Sequence, residues 1–290
     1  MGVACFSVRS SGCALFIFKF VRRSQYIEKK ESDHMKNRWI TMLLVLALIC
    51  ALLPQLALSS HAEGDIAINE ANFPDGTFRS YVSDWLDRDH NGSLSTEELQ
   101  ACVTFDLYGQ NITSLKGIEY FTSLCSLNVH GNQLTALDLS KNTALTELYC
   151  YDNQLTALDV SGSTALTELY CSCNQLTALD VSKNTALTEL ECYGNQLTAL
   201  DVSKNTALEW LHCGANQLTA LDVSKNTALE RLYCYDNQLT ALDVSKNTAL
   251  KWLDCCGNQL TALDVSKNTA LTVLRCYRSE EHTSELQSHA

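Results

Sequence analysis

Basic residues are scarce in this chain: 21 lysines and arginines stand against 33 aspartates and glutamates, a formal net charge of −12. With no basic stripe to displace the counterions of a phosphate backbone, nucleic acid is excluded as a partner. Protein or glycan ligands agree better with an acidic surface. Long apolar runs are almost absent as well. The one run, Ile40 to Leu53, is short for a membrane span and stops at Pro54, one of only two prolines. It follows a basic start at Met35 and precedes Ser60-His61-Ala62, a small-x-small cleavage site. Residues 35–62 therefore read as a secretory signal peptide rather than an anchor. Residues 1–34 would place a basic extension before a complete signal, so Met35 is the expected true start. Convergent catalytic groups are missing too: His130 and His212 stand four turns of the repeat apart, and the many Asp and Ser residues fall in regular columns. An enzyme is not expected.

What the chain has in abundance is repetition. Leu145, Leu166, Leu187, Leu208, Leu229, Leu250 and Leu271 recur every 21 residues, and so do Asn153, Asn174, Asn195, Asn216, Asn237 and Asn258. A strict period in this range means a solenoid, whatever the length would otherwise say about domain number. In "ELYCY", residues 147–151, alternation points Leu148 and Cys150 inward and Glu147, Tyr149 and Tyr151 outward. Each turn adds one parallel strand roughly 4.8 Å from the last, so like residues stack into columns. No single turn can bury its own leucines, and the fold exists only as a stack.

The unit, as in Leu145, Leu148, Cys150, Asn153 and Leu155, fits L-x-x-L-x-C-x-x-N-x-L and resembles the leucine-rich repeat family over residues 102–277, with a degenerate first turn at Phe105, Leu107, Ile112 and Leu115. The arrangement is similar to the internalin-type surface proteins of Gram-positive bacteria, although the cysteine column and the 21-residue unit depart from that pattern. The resemblance implies an α/β-type repeat solenoid, a leucine-rich repeat stack with one parallel strand per 21-residue turn. It also implies a secreted or cell-surface location.

Three columns invite chemistry. The asparagines are structural, because an amide that both donates and accepts can satisfy backbone groups where the chain bends after each strand. The Asp column from Asp138 to Asp264, beside lysines from Lys141 to Lys267, reads as a solvated back face rather than a calcium surface. Cys150, Cys171, Cys192, Cys213, Cys234, Cys255 and Cys276 read as free buried thiols, since in-register side chains on adjacent parallel strands sit farther apart than a disulfide's Cβ atoms, about 3.8 Å. No histidine accompanies Cys171 and Cys173 to make a metal site. Cys256 is expected to project outward as a reactive thiol.

Against this copied scaffold the outward strand positions vary. Tyr149, Tyr151, Tyr170, Tyr193, Trp210, His212, Tyr233, Tyr235, Trp252 and Asp254 are the expected ligand-binding face, rich in stiff aromatic side chains with polar tips. The expected function is recognition of a protein or glycan. The alternative is a passive spacer or targeting arm for a further domain.

Before the repeats, "DRDHNGSLSTEE", residues 87–98, matches an EF-hand loop. Asp87, Asp89, Asn91, Ser93 (through its carbonyl), Ser95 and Glu98 are the expected calcium ligands, Gly92 makes the sharp turn and Leu94 fills the apolar slot. Phe78, Tyr81, Val82, Trp85 and Leu86 have the spacing of one helical face leading into it. No second loop is visible, so residues 63–101 are expected to act as a small helical cap on the apolar end of the solenoid, with structural Ca2+. At the other end the register breaks at Ser279 and Glu281, and residues 278–290 resemble a translated sequencing adapter. They are expected to be an artefact that cuts the chain in mid-repeat, any surface anchor lying beyond.

Overall fold

Leucine at the middle of every strand sets the architecture. In a computed structural model, which describes residues 64–277, β3 (Thr104–Asp106) opens a sheet that continues through β4 (Ser126–Asn128), β5 (Glu147–Tyr149), β6 (Glu168–Tyr170) and β7 (Glu189–Glu191). It runs on through β8 (Trp210–His212), β9 (Arg231–Tyr233), β10 (Trp252–Asp254) and β11 (Val273–Arg275). The expected leader, the upstream extension and the adapter-like tail lie outside the described residues. The nine strands are hydrogen-bonded in chain order, all parallel, with Leu148 opposite Leu169 and Leu169 opposite Leu190. Each central leucine from Leu127 to Leu253 is fully buried, as are Cys150, Cys171, Cys192, Cys213 and Cys234. The degenerate first turn obeys the same rule, with Phe105, Leu107, Ile112 and Leu115 in the core.

After each strand from β4 to β10 the chain turns through one left-handed residue. Gly131, Asp152, Cys173, Gly194, Ala215, Asp236 and Gly257 all have φ between 49 and 66°. The following asparagine repairs the bend: Asn195 Nδ2 donates to the carbonyls of Cys171 (3.0 Å) and Cys192 (3.1 Å), while its Oδ1 accepts the Leu176 N–H (3.0 Å). A second asparagine column, absent from the sequence expectations, does similar work on the opposite side. Asn205 Nδ2 donates to the carbonyls of Val181 (3.0 Å) and Asn184 (2.8 Å), and the whole side chain is buried. Where this column reads Ser163, the hydroxyl bonds the Asn142 carbonyl instead.

The Asp column has a more specific role than a solvated face. Each carboxylate from Asp138 to Asp264 accepts the backbone N–H of the serine two residues on, at 2.8–2.9 Å, closing an Asx turn. That N–H holds the carboxyls of Asp180 and Asp201 below the usual range.

At the N-terminal end, Asp75 caps α1 (Gly76–Tyr81), its Oδ1 accepting the N–H groups of Thr77 and Phe78, both at 3.0 Å. Its Oδ2 reaches the first solenoid turn, accepting the Thr113 N–H (2.8 Å) and hydroxyl (2.9 Å). One carboxylate thus starts a helix and fastens it to the stack. Phe73 follows it in, packed edge-on against Phe78 and Tyr120. The expected single helical face is corrected in one respect: the chain widens into a π-helical turn at Val82–Leu86, so Phe78 and Val82 are buried while Trp85 is 72% exposed. The loop that follows leads through β2 (Ser93–Leu94) into α2 (Thr96–Ala101), capped by Ser95 and Glu98 in a reciprocal box. Strand β1 (Ile66–Ala67) pairs antiparallel with β2, Ile66 opposite Leu94. Among the described residues, no helix is long and apolar enough to cross a membrane.

Candidate functional site

The outward strand positions form the solvent face of the sheet, and three-residue strands leave room for only two of them per turn, with a third just beyond. In the first column Glu147, Glu168 and Glu189 stand in register, followed by Trp210, Arg231 and Trp252. In the second come Tyr149, Tyr170, Glu191, His212, Tyr233 and Asp254. Most of these side chains are half-buried, Arg231 is exposed and Asp254 is buried.

Their contacts run between turns. The Tyr149 hydroxyl donates to the Glu168 carboxylate (2.5 Å) and the Tyr170 hydroxyl to Glu189, one diagonal step repeated. Burial and these glutamates push both phenols well above the usual tyrosine value. The Tyr149 and Tyr170 rings lie 5.0 Å apart between centroids. His212 is the hub of the middle turns: its ring stacks on Tyr193 at 4.4 Å, its Nε2 lies 3.2 Å from the Tyr235 hydroxyl, and its Nδ1 lies 4.0 Å from Glu191. Farther along, the Arg231 guanidinium covers Trp210 and that of Arg275 covers Trp252, at 5.7 and 5.3 Å from the ring centroids. Arg275 also approaches Asp254 at 3.5 Å. Nine of the ten residues expected on the ligand face are partly exposed on the outward side of the stack; Asp254 is the exception, buried beneath Arg275. Glu168 and Glu189 are not among the expected face residues; their part in fixing the tyrosine tips becomes visible when the turns are stacked.

Cys256 differs from expectation. It is 8% exposed, and burial together with Asp254 pushes its thiol up to about 12, so it is not a reactive surface group. Inside the stack, burial likewise pushes Cys150 and Cys213 up to about 12.

The expected calcium loop forms a second cluster. Asp87, Asp89 and Glu98 each place a carboxylate oxygen within 4.8 Å of the others. The loop backbone holds them there. Asp87 accepts the N–H groups of Asn91 (3.1 Å) and Gly92 (2.9 Å), and Glu98 accepts those of Arg88 (2.7 Å) and Ser95 (2.9 Å). The Ser95 N–H foremost, with Arg88 and against some burial, keeps the Glu98 carboxyl below the usual range. His90 and Gly92 supply the left-handed turns, at φ 56 and 83°. Asn91 spends its Oδ1 on the Ser93 N–H, 2.8 Å. Three carboxylates gathered this closely in an all-oxygen donor set suit a hard cation such as Ca2+.

Comparison with known proteins agrees with this geometry. Residues 143–184 match the family model described as leucine rich repeats (2 copies). Internalin J of Listeria monocytogenes serotype 4b is 44% identical over 71 residues, which are 24% of this chain and 8% of that one. Among solved structures, the functional domain of InlJ from Listeria monocytogenes, described as including a cysteine ladder, matches with TM-score 0.60 at 40% identity. That match covers 72% of this chain and 51% of the InlJ domain, so the chain spans about half its length. Internalin C2 from the same organism matches with TM-score 0.63 at 23% identity, over 75% of this chain and 100% of that one, and shows the shared fold alone. A cysteine ladder in InlJ removes one expected departure, since a cysteine column is not foreign to internalins. The described chain is therefore a leucine-rich repeat solenoid, internalin-like in its repeats.

Proposed function

We propose that the protein is a secreted or cell-surface recognition module that binds a protein or glycan on the outer face of its sheet, and that Ca2+ at Asp87, Asp89 and Glu98 stiffens the cap. The observation that carries this reading is the contrast between columns. Leucine, cysteine and asparagine repeat nearly unchanged through the stack, while the outward positions pass from glutamate and tyrosine to tryptophan, histidine and arginine. Curved stacks of repeats use this surface for binding, and large aromatic side chains are what binding surfaces favour.

The test is a screen of the full chain against a glycan array and a display library of extracellular proteins, run beside a Tyr149→Ala/Tyr170→Ala/Tyr233→Ala variant. Ligands held by the parent protein are expected to bind the triple variant at least tenfold more weakly. Unchanged binding of every captured ligand would move the site off this face.

The calcium reading has its own measurement. Extracellular calcium modules bind at roughly 0.1–1 mM, so about 10 mM Ca2+ should stabilise the folded chain by about 1.4–2.7 kcal/mol over a chelated sample. The thermal midpoint is expected to rise by about 3–10 °C. In Glu98→Gln the rise should disappear. An equal rise in that variant would place the ion elsewhere.

A further inference from the structure

Beside the two strand columns runs a third, just past each strand; Tyr108, His130 and Tyr151 stack in its first turns, and from Tyr151 onward it alternates. Tyr151, Tyr193, Tyr235 and Tyr277 occupy every second turn, and the turns between carry Ser172, Gly214 and Cys256. The scaffold does not require this, because Tyr149 and Tyr170 fit in successive turns of the neighbouring column. The small residues make room. Ser172 and Cys256 are buried, and a Cβ added at Gly214 would lie 2.9 Å from the Tyr235 ring, so that ring rests across the preceding turn. The same two-turn step separates Trp210 from Trp252, whose buried indole N–H groups have no hydrogen-bond partner among the described residues. Two columns of aromatic rings therefore share one period, twice the strand spacing.

That period selects a ligand geometry. Two strand spacings are roughly 9.4–9.8 Å. An α-helical ligand repeats at about 5.4 Å and an extended strand at about 6.6–6.8 Å per two residues; neither keeps step. A polyproline II helix advances about 9.3 Å per three-residue turn, and its carbonyls, unused by any internal hydrogen bond, all seek donors. From Tyr151 to Tyr277 the six strand spacings amount to roughly 29 Å, against about 28 Å for nine polyproline residues. Tyrosine hydroxyls are the donors such a segment needs, and aromatic-lined grooves are how proline-rich segments are held.

Charge gives the segment a direction. Glu147 and Glu189 lie beside the N-terminal half of the tyrosine row, and neither has an ion-pair partner among the described residues. Arg231, exposed, lies beside the C-terminal half. We propose that the outer face docks a proline-rich segment in polyproline II conformation, its rings seated on the tyrosines of alternate turns and a basic end lying over Glu147 and Glu189. This deepens the recognition reading and rests on it.

The experiment titrates the full chain into a fluorescein-labelled peptide of three arginines followed by nine prolines and follows anisotropy. Saturable binding is expected, at least tenfold tighter than for a peptide in which glycine and serine replace the prolines. Tyr193→Ala/Tyr235→Ala should weaken it at least tenfold. Tyr277→Ala, at a side chain already 67% exposed and so harmless to folding, should weaken it about threefold. Equal affinity for the two peptides would reduce the interaction to charge and overturn the proposal, as would absence of binding to the proline peptide. Neither result touches the broader reading, which falls only if the Tyr149, Tyr170 and Tyr233 variant keeps every captured ligand.

Discussion

Asn195→Ala should lower the unfolding free energy by about 3–5 kcal/mol. The side chain makes three buried bonds to backbone groups, and alanine leaves the Leu176 N–H without a partner while the carbonyls of Cys171 and Cys192 each lose one of two asparagine donors, keeping Asn174 and Asn216. The orphaned N–H costs about 1–3 kcal/mol and each of the two lost carbonyl bonds about 0.5–1.5 kcal/mol. The loss falls in the middle of a stack whose stability is a sum over turns and their interfaces, so it also uncouples the two halves. Denaturant unfolding gives the total, and hydrogen exchange at the Leu176 amide locates it. Lys204→Ala, on the exposed back of the same turn, should change stability by no more than about 0.5 kcal/mol. If both variants unfold alike, the asparagine column is dispensable and the leucines alone hold the register.

The second large effect belongs to the cap. Gly117 sits at φ 105°, and a Cβ there would lie 2.3 Å from Phe73 Cδ1 and 2.8 Å from the Asn72 carbonyl oxygen. Gly117→Ala therefore adds overpacking of about 1–3 kcal/mol to a left-handed strain of about 1–2 kcal/mol. Phe73 cannot retreat at low cost, because it is fully buried among Phe78, Tyr120 and Phe121. The expected outcome is a loss of about 2–5 kcal/mol with the cap displaced. Dye binding should then report the apolar surface of Phe105 and Phe121 newly opened to water. A variant with unchanged stability and no added dye binding would show that Phe73 does not anchor the cap.

Which of these features were legible beforehand follows from how each is encoded. Leu148, Cys150 and Asn153 announce their roles because strand alternation and a 21-residue period act together on them. In the loop before the repeats, residue type and spacing together single out Asp87, Asp89 and Glu98, whose carboxylates the fold gathers. Asn205 recurs just as strictly, yet it sits in a stretch without strand alternation, and nothing local marks an asparagine between Lys204 and Thr206 as buried. The Asx turns at the Asp column were hidden for a related reason. An exposed carboxylate next to a lysine column looks like charge pairing, whereas its stronger partner is a backbone N–H two residues away. Trp85 and Cys256 were misplaced by extrapolating a period one step too far. A π-helical turn shifts the first off its face, and the small-residue place in an alternating tyrosine column draws the second under cover.

The row of thiols inside the stack has a consequence for how opening can be followed. Thiolates, not thiols, react with alkylating reagents, and Cys150, Cys171, Cys192, Cys213 and Cys234 are sealed from water one turn apart. A reagent can reach any one of them only while that turn is open. Their separate labelling rates are thus five independent clocks spaced evenly along the molecule, each timing the breathing of its own turn. Read together, they would chart how fraying travels from an end toward the centre without a single engineered probe.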